Sequence, residues 1–183
     1  MKNIILIVWA MWSGKDTASD YISQKYNIPA FGISTSLKIL AEKRWLPQDR
    51  DTLITLWTEV AKDFWDQYLA KNLVENVKEN TFIILGTRQI GQLEYLFQNT
   101  NCVSIGIVSD KNIRFQRVLK RFWEWEYNYE KFLQQEFRDN FEWPQKIDIC
   151  TQMCENIIEN NSSLEDLYQR IDEILQKNNF LWK

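Results

Sequence analysis

The sequence contains no histidine. That absence removes Ser-His-Asp and Cys-His nucleophilic systems, and every zinc site that needs an imidazole. Cysteine is scarce and odd in number, three in 183 residues. Cys150 and Cys154 stand one helical turn apart with no third or fourth ligand evident, so they read as small buried thiols in a reducing cytoplasm. No long apolar run is present. Ile4 to Met11 falls far short of a membrane span and no signal-peptide cleavage pattern follows it. An excess of positive charge is missing too. Twenty-two Lys and Arg against 25 Asp and Glu leave a net charge of −3, which argues against a general electrostatic nucleic-acid binder. The aromatic run Phe122, Trp123, Trp125, Tyr127 and Tyr129 alternates with Glu124, Glu126 and Glu130, so it lacks the positive groove that base stacking needs.

The least expected shortage is glycine. Ordinary usage of roughly 7% would give about 13 residues, and only 5 are present, beside 9 tryptophans. Otherwise the composition is that of one globular domain, 45% hydrophobic and 26% charged.

What is present is an alternation of strands and helices. Ile4-Ile5-Leu6-Ile7-Val8 is a continuous, mostly β-branched run of the kind buried in parallel sheets. Further strands are expected at Pro29–Ile33, Thr81–Leu85, Cys102–Val108 and Asn156–Glu159. Helices are expected at Lys15–Lys25, from a Ser34-Thr35-Ser36 cap to Arg44, and from an Asp51 cap along Leu53, Leu56, Val60 and Phe64. Others follow at Asp66–Lys78, Ile90–Phe97, from an Asp110 cap to Arg121, and at Glu130–Arg138. The last runs from the capping box Ser162-Ser163-Leu164-Glu165 to Gln176. With no hairpin signal, this pattern predicts an α/β fold: three layers, with a mainly parallel sheet of about five strands and helices on both faces.

The first strand runs into Trp9-Ala10-Met11-Trp12-Ser13-Gly14-Lys15-Asp16-Thr17. A phosphate-binding loop is G-x-x-x-x-G-K-[ST] between a strand and a helix. Its backbone N–H groups wrap phosphates, the helix N-terminus adds positive potential, and the lysine bridges the outer phosphates. Gly14, Lys15 and Thr17 satisfy the pattern, with Ser13 inside the loop. Trp9 and Trp12 violate it, because an anion must approach the backbone there. Asp16 stands where Ser or Thr usually holds magnesium, and a carboxylate can serve instead. A plain strand-to-helix turn with an exposed lysine is the competing reading.

With these residues the chain resembles the P-loop nucleoside monophosphate kinase-like family, which includes adenylate, deoxynucleotide monophosphate and dephospho-coenzyme A kinases. The resemblance spans nearly the whole chain. Gly14-Lys15-Asp16-Thr17 is most similar to deoxynucleotide monophosphate kinases. Leu85-Gly86-Thr87-Arg88 is similar to the segment whose arginine grips the acceptor phosphate, though Leu85 replaces a frequent acid. Arg114, Arg117 and Arg121, three and four apart, fall on one helical face and resemble the arginines entering a mobile lid; a solvated basic stripe is the plainer reading. Asn160, in the final strand-to-helix turn, resembles a residue near the adenine ring, or is a plain turn residue.

The resemblance implies a single P-loop kinase domain over 1–183, with a helical acceptor-binding insert at 34–80 and a lid at 117–145. It implies ATP and magnesium, the latter on Asp16 and Thr17, and Lys15, Arg88, Arg117 and Arg121 as catalytic cations. The acceptor it implies is a small phosphorylated molecule, a (deoxy)nucleoside monophosphate or dephospho-coenzyme A, with no nucleic acid or membrane as partner. If Trp9 and Trp12 are real, a non-catalytic P-loop-like scaffold is the alternative.

The tryptophans themselves suggest a cause. Trp9 and Trp12 stand at glycine positions of the phosphate loop. Trp45, before Leu46-Pro47, stands where a helix places its C′ glycine. Trp57, Trp65, Trp123 and Trp125 match family glycines, and Trp143 before Pro144 is compatible with one, while Trp182 decides nothing. Trp57 also fits an apolar helix face with Leu53, Leu56 and Val60, as a core tryptophan would. UGA codons, glycine in some bacterial codes, would explain the set if they had been translated as tryptophan.

Overall fold

A computed structural model describes residues 1–63, 67–120, 128–141 and 145–180. Five strands form one sheet: β1 (Asn3–Trp9), β2 (Ala30–Gly32), β3 (Thr81–Leu85), β4 (Asn101–Val108) and β5 (Asn156–Glu159). Their order is β2-β3-β1-β4-β5 and every pairing is parallel. The expected α/β architecture is therefore present. β1 lies in the middle, with Ile5 in register with Ile83 on one side and Val103 on the other. Ile4 to Val8 are wholly buried, which is why the strand reads as an unbroken apolar run rather than an alternating one.

The described helices are α1 (Lys15–Tyr26), α2 (Ser34–Lys43), α3 (Arg50–Asp63), α4 (Tyr68–Asn76), α5 (Ile90–Asn99), α6 (Lys111–Leu119), α7 (Tyr129–Phe141), α8 (Ile147–Gln152) and α9 (Leu164–Lys177). The twofold periodicity of a strand divides them between two faces. Ile4, Leu6 and Val8 pack into a core with residues of α2 to α5 and with Cys150 of α8. Ile5, Ile7 and Trp9 pack against α1 and α9 through Ala18, Ile22, Leu167, Ile171 and Leu175. A third, small cluster joins Val118 of α6 to Phe132 of α7, with Phe115, Met11 and Trp12 against it.

Helix starts differ from the sequence expectation in four places. α2 begins at Ser34 with Ile33 at its N-cap; Ser36, expected to help cap it, is buried and donates to the Leu69 carbonyl at 2.6 Å, tying α2 to α4. α3 is capped by Asp49, not Asp51: its carboxylate accepts from Thr52 N at 3.0 Å and Thr52 Oγ1 at 2.9 Å. Asp110 holds the N-cap position of α6 but its side chain makes no capping bond. The last helix is capped one residue later than the Ser162–Glu165 box implies: Ser163 is the N-cap and accepts from Asp166 N at 3.2 Å. α8 had no signal beyond the Cys150–Cys154 spacing. Both thiols are buried, and burial pushes Cys154 up to about 12, so neither is poised to react. Among the described residues no helix is long and apolar enough to cross a membrane.

Candidate functional site

The loop between β1 and α1 is held by a short ladder of local bonds. Ala10 N donates to Ile107 O at 3.2 Å and Ser13 N to Ala10 O at 3.1 Å, and Gly14 caps α1 at φ +106°. A Cβ at Gly14 would lie 2.5 Å from Asn160 Nδ2, so only glycine fits. Asn160 follows β5, is buried, and donates from Nδ2 to Ser13 O at 2.7 Å. Its side chain braces the back of the loop.

Arginines of α6 brace the other side. Arg114 donates to Met11 O at 3.1 Å and Ser109 O at 2.9 Å, and pairs with Glu136 of α7. Arg117 donates to Asn160 O at 2.9 Å and, at 3.4 Å, to Trp12 O and Ser13 O. Burial lowers the Arg117 pKa from its ordinary value, yet guanidinium remains a cation throughout the physiological range.

In front of the loop lies a cavity of roughly 580 Å3. Lys15, Arg88, Arg117 and Arg138 line it, against the carboxylates of Asp16 and Asp139. The surplus of positive charge suits a polyanion. Lys15 Nζ sits 4.7 Å over the Trp9 ring and pairs with Asp16. Asp16 is exposed and Thr17 half-buried, side by side on the first turn of α1 and both lining the cavity. A carboxylate and a hydroxyl are the oxygen donors that magnesium takes.

A second cavity, roughly 460 Å3, shares Trp9, Lys15 and Arg88 with the first. Its walls are apolar at Ile33, Leu37, Trp57, Leu69 and Leu85, with Gln89, Gln92 and Gln145 as polar groups. Arg88, just past β3, reaches Asp139 at 3.1 Å and Gln145 Oε1 at 2.7 Å, while its backbone N–H donates to Gln92 Oε1 at 3.0 Å. Burial pushes the Asp139 carboxyl above its ordinary value even though Arg88 draws it down. Ser13 Oγ, in the loop, and Thr87 Oγ1, next to Arg88, are buried without a hydrogen-bond partner; such groups in a native structure point to a ligand or water.

No family model and no curated protein matches the chain. Solved structures do. A shikimate kinase from Bacteroides thetaiotaomicron matches with a TM-score of 0.60 at 17% identity, over 94% of this chain and 98% of that one. A gluconokinase from Sinorhizobium meliloti matches with a TM-score of 0.53 at 10% identity, over 98% and 95%. An uncharacterized protein from Eubacterium ventriosum gives 0.55 at 18% identity, over 98% and 99%. The fold is that of the P-loop small-molecule kinases.

In this P-loop kinase fold the carboxyl ends of β1, β2 and β3 line the crevice through Trp9, Gly32 and Leu85, the general place for ligands of open parallel sheets. The structure gathers Trp9, Trp12, Gly14, Lys15, Asp16, Thr17, Arg88 and Arg117 around one cavity. Ser13, in the loop, lies outside that lining and accepts from Asn160, which stands behind the loop. Arg121 lies outside the described residues, as do Trp65, Trp123, Trp125, Trp143 and Trp182. Sequence reasoning missed Arg138, Asp139 and Gln145. Nothing local marks them: Asp139 and Arg88 are 51 positions apart, and an Arg-Asp pair on a polar helix looks like any solvated face.

Proposed function

We propose that the protein is an ATP-dependent phosphotransferase whose acceptor is a small phosphorylated molecule, a (deoxy)nucleoside monophosphate. The observation that carries this reading is the convergence of Lys15, Arg88, Arg117 and Arg138 on one cavity that adjoins, across Trp9, an apolar acceptor cavity.

In this reading the loop N–H groups, the α1 N-terminus and Lys15 hold the donor phosphates. Asp16 and Thr17 would hold magnesium, which would supply positive charge to neutralise the phosphates. Arg88 grips the acceptor's anionic group, and the apolar walls with Gln89 and Gln92 receive a flat base. The insert at 34–80 supplies Leu37, Trp57 and Leu69 of that wall; the region 117–145 acts as a lid, with Arg117 and Arg138 lining the phosphate cavity. An acceptor phosphate oxygen forms the new P–O bond as the β–γ bridging bond breaks, and the electron pair leaves with the diphosphate. That oxygen is already nucleophilic, so no general base is required. The guanidinium forks match the oxygens that carry charge in the transition state.

The test is an acceptor panel with ATP: nucleoside and deoxynucleoside monophosphates, dephospho-coenzyme A, shikimate and gluconate, on the wild type and on Arg88→Ala. Transfer to a monophosphate is expected, with Arg88→Ala raising its KM roughly tenfold or more, the scale of a lost charged hydrogen bond, while ATP affinity changes little. An equal or larger loss for ATP contradicts the assignment of Arg88. Transfer to shikimate or gluconate alone would reassign the acceptor.

A further inference from the structure

We infer that positions 9, 12 and 45 are glycine in the living cell, encoded by UGA and rendered as tryptophan only by a code that reads it so. At positions 12 and 45 the inference rests on backbone geometry; at position 9 it rests on the proposed phosphate site, through its loop spacing and the two cavities that residue borders.

Among the described residues, four that are not glycine have positive φ: Trp12 (65°), Asn27 (53°), Trp45 (57°) and Asn179 (49°). Asparagine tolerates this region through its short polar side chain. Tryptophan does not. Only a few per cent of non-glycine residues are left-handed, and bulky ones fewer. Finding two among the four described tryptophans, Trp9, Trp12, Trp45 and Trp57, has a chance on the order of one in a hundred or less.

Position 45 is the clearest case. α2 ends with Trp45 N donating to Glu42 O at 3.1 Å and Leu46 N to Ala41 O at 2.9 Å. This is the paired closure of a helix whose C′ residue is left-handed, a place held chiefly by glycine. The Trp45 side chain is 95% exposed, so no packing compensates for its Cβ. At position 12 the ring does find apolar neighbours beside Val118 and Phe132, but the backbone keeps the left-handed turn that the loop requires. Trp9 is extended, and its signal is positional. Its ring borders both cavities and lies under Lys15 Nζ, on the path between donor and acceptor. Glycine there joins the two cavities and completes the five-residue spacing to Gly14. Trp57 sits inside α3, half-buried on the core as an ordinary tryptophan, and the inference does not extend to it.

The protein purified from the cells that encode it decides the matter. One tryptic peptide, from Asn3 to Lys15, spans positions 9 and 12, and another runs from position 45 to Arg50. Mass spectrometry is expected to read glycine at all three positions, with UGA in the gene. Tryptophan at any of them, or UGG, overturns the inference. Independently, Trp45→Gly in the chain as written is expected to raise Tm by roughly 2–4 °C; an unchanged or lower Tm counts against it. Neither readout involves nucleotide, so a failure of the kinase reading leaves the result at positions 12 and 45 standing, and the reverse.

Discussion

Lys15 stands alone among the site cations in being set by its neighbours in sequence. Gly14 caps α1 in a left-handed conformation, and that turn delivers the lysine to the cavity whatever the rest of the chain does. Its contact with the Trp9 ring is absent once position 9 is glycine. In a chain with Trp9→Gly and Trp12→Gly, Lys15→Ala is therefore expected to abolish phosphoryl transfer and leave Tm within a degree or two; steady-state assays and thermal melts check both halves. Near-normal turnover would remove Lys15 from the donor site. The same locality explains what was legible at this scale. Gly14, Lys15 and Thr17 could be read because a phosphate loop writes its chemistry within a few consecutive residues. Arg88 could be read from its place after a strand. Asp139 and Gln145, which hold the Arg88 guanidinium, could not, since only the folded chain brings them to the segment after β3.

Elements on the far side of the sheet are joined by a polar clamp. Asp172 of α9 accepts from Lys25 Nζ at 2.6 Å, Tyr26 Oη at 2.5 Å and Tyr21 Oη at 2.8 Å, all on α1 or its last turn. Tyr21 also stacks on Tyr168 with ring centroids 4.0 Å apart. Partial burial alone would raise the Asp172 pKa, but hydrogen bonds from Lys25, Tyr26 and Tyr21 outweigh it and the net shift is downward. A carboxyl with a depressed folded pKa adds stability above its unfolded value near 4, and that stability disappears as pH falls through the folded pKa. Asp172→Asn is expected to cost about 1 kcal/mol at pH 7, allowing for solvent screening of the lysine arm. Chemical denaturation should show the gap narrowing below about pH 4. A gap that is constant or widens in acid would show that the charge of Asp172 is not what the clamp uses. Helix starts were less legible than helices. The apolar periodicity of α3 is plain, yet either Asp49 or Asp51 suits its cap, and the choice falls to Asp49 through its bonds to Thr52.

For the whole molecule, the sheet was readable because a central parallel strand must be apolar on both faces, and β1 is buried from Ile4 to Val8. The crevice at the carboxyl ends of the strands was readable only as a place. Its walls come from α2, α3, α4 and the segments after β3 and α7, so its selectivity is written in long-range packing. The two tryptophans of the loop are where sequence, backbone and proposed chemistry disagree, and they carry the sharpest test. Isothermal calorimetry of magnesium-ATP should be run on the chain as written, on Trp9→Gly/Trp12→Gly, and on that pair with Lys15→Ala. The double variant is expected to bind at least roughly tenfold more tightly than the chain as written, and Lys15→Ala to erase the gain. No binding by the double variant, or binding indifferent to Lys15, would contradict a phosphate-loop kinase site in this crevice.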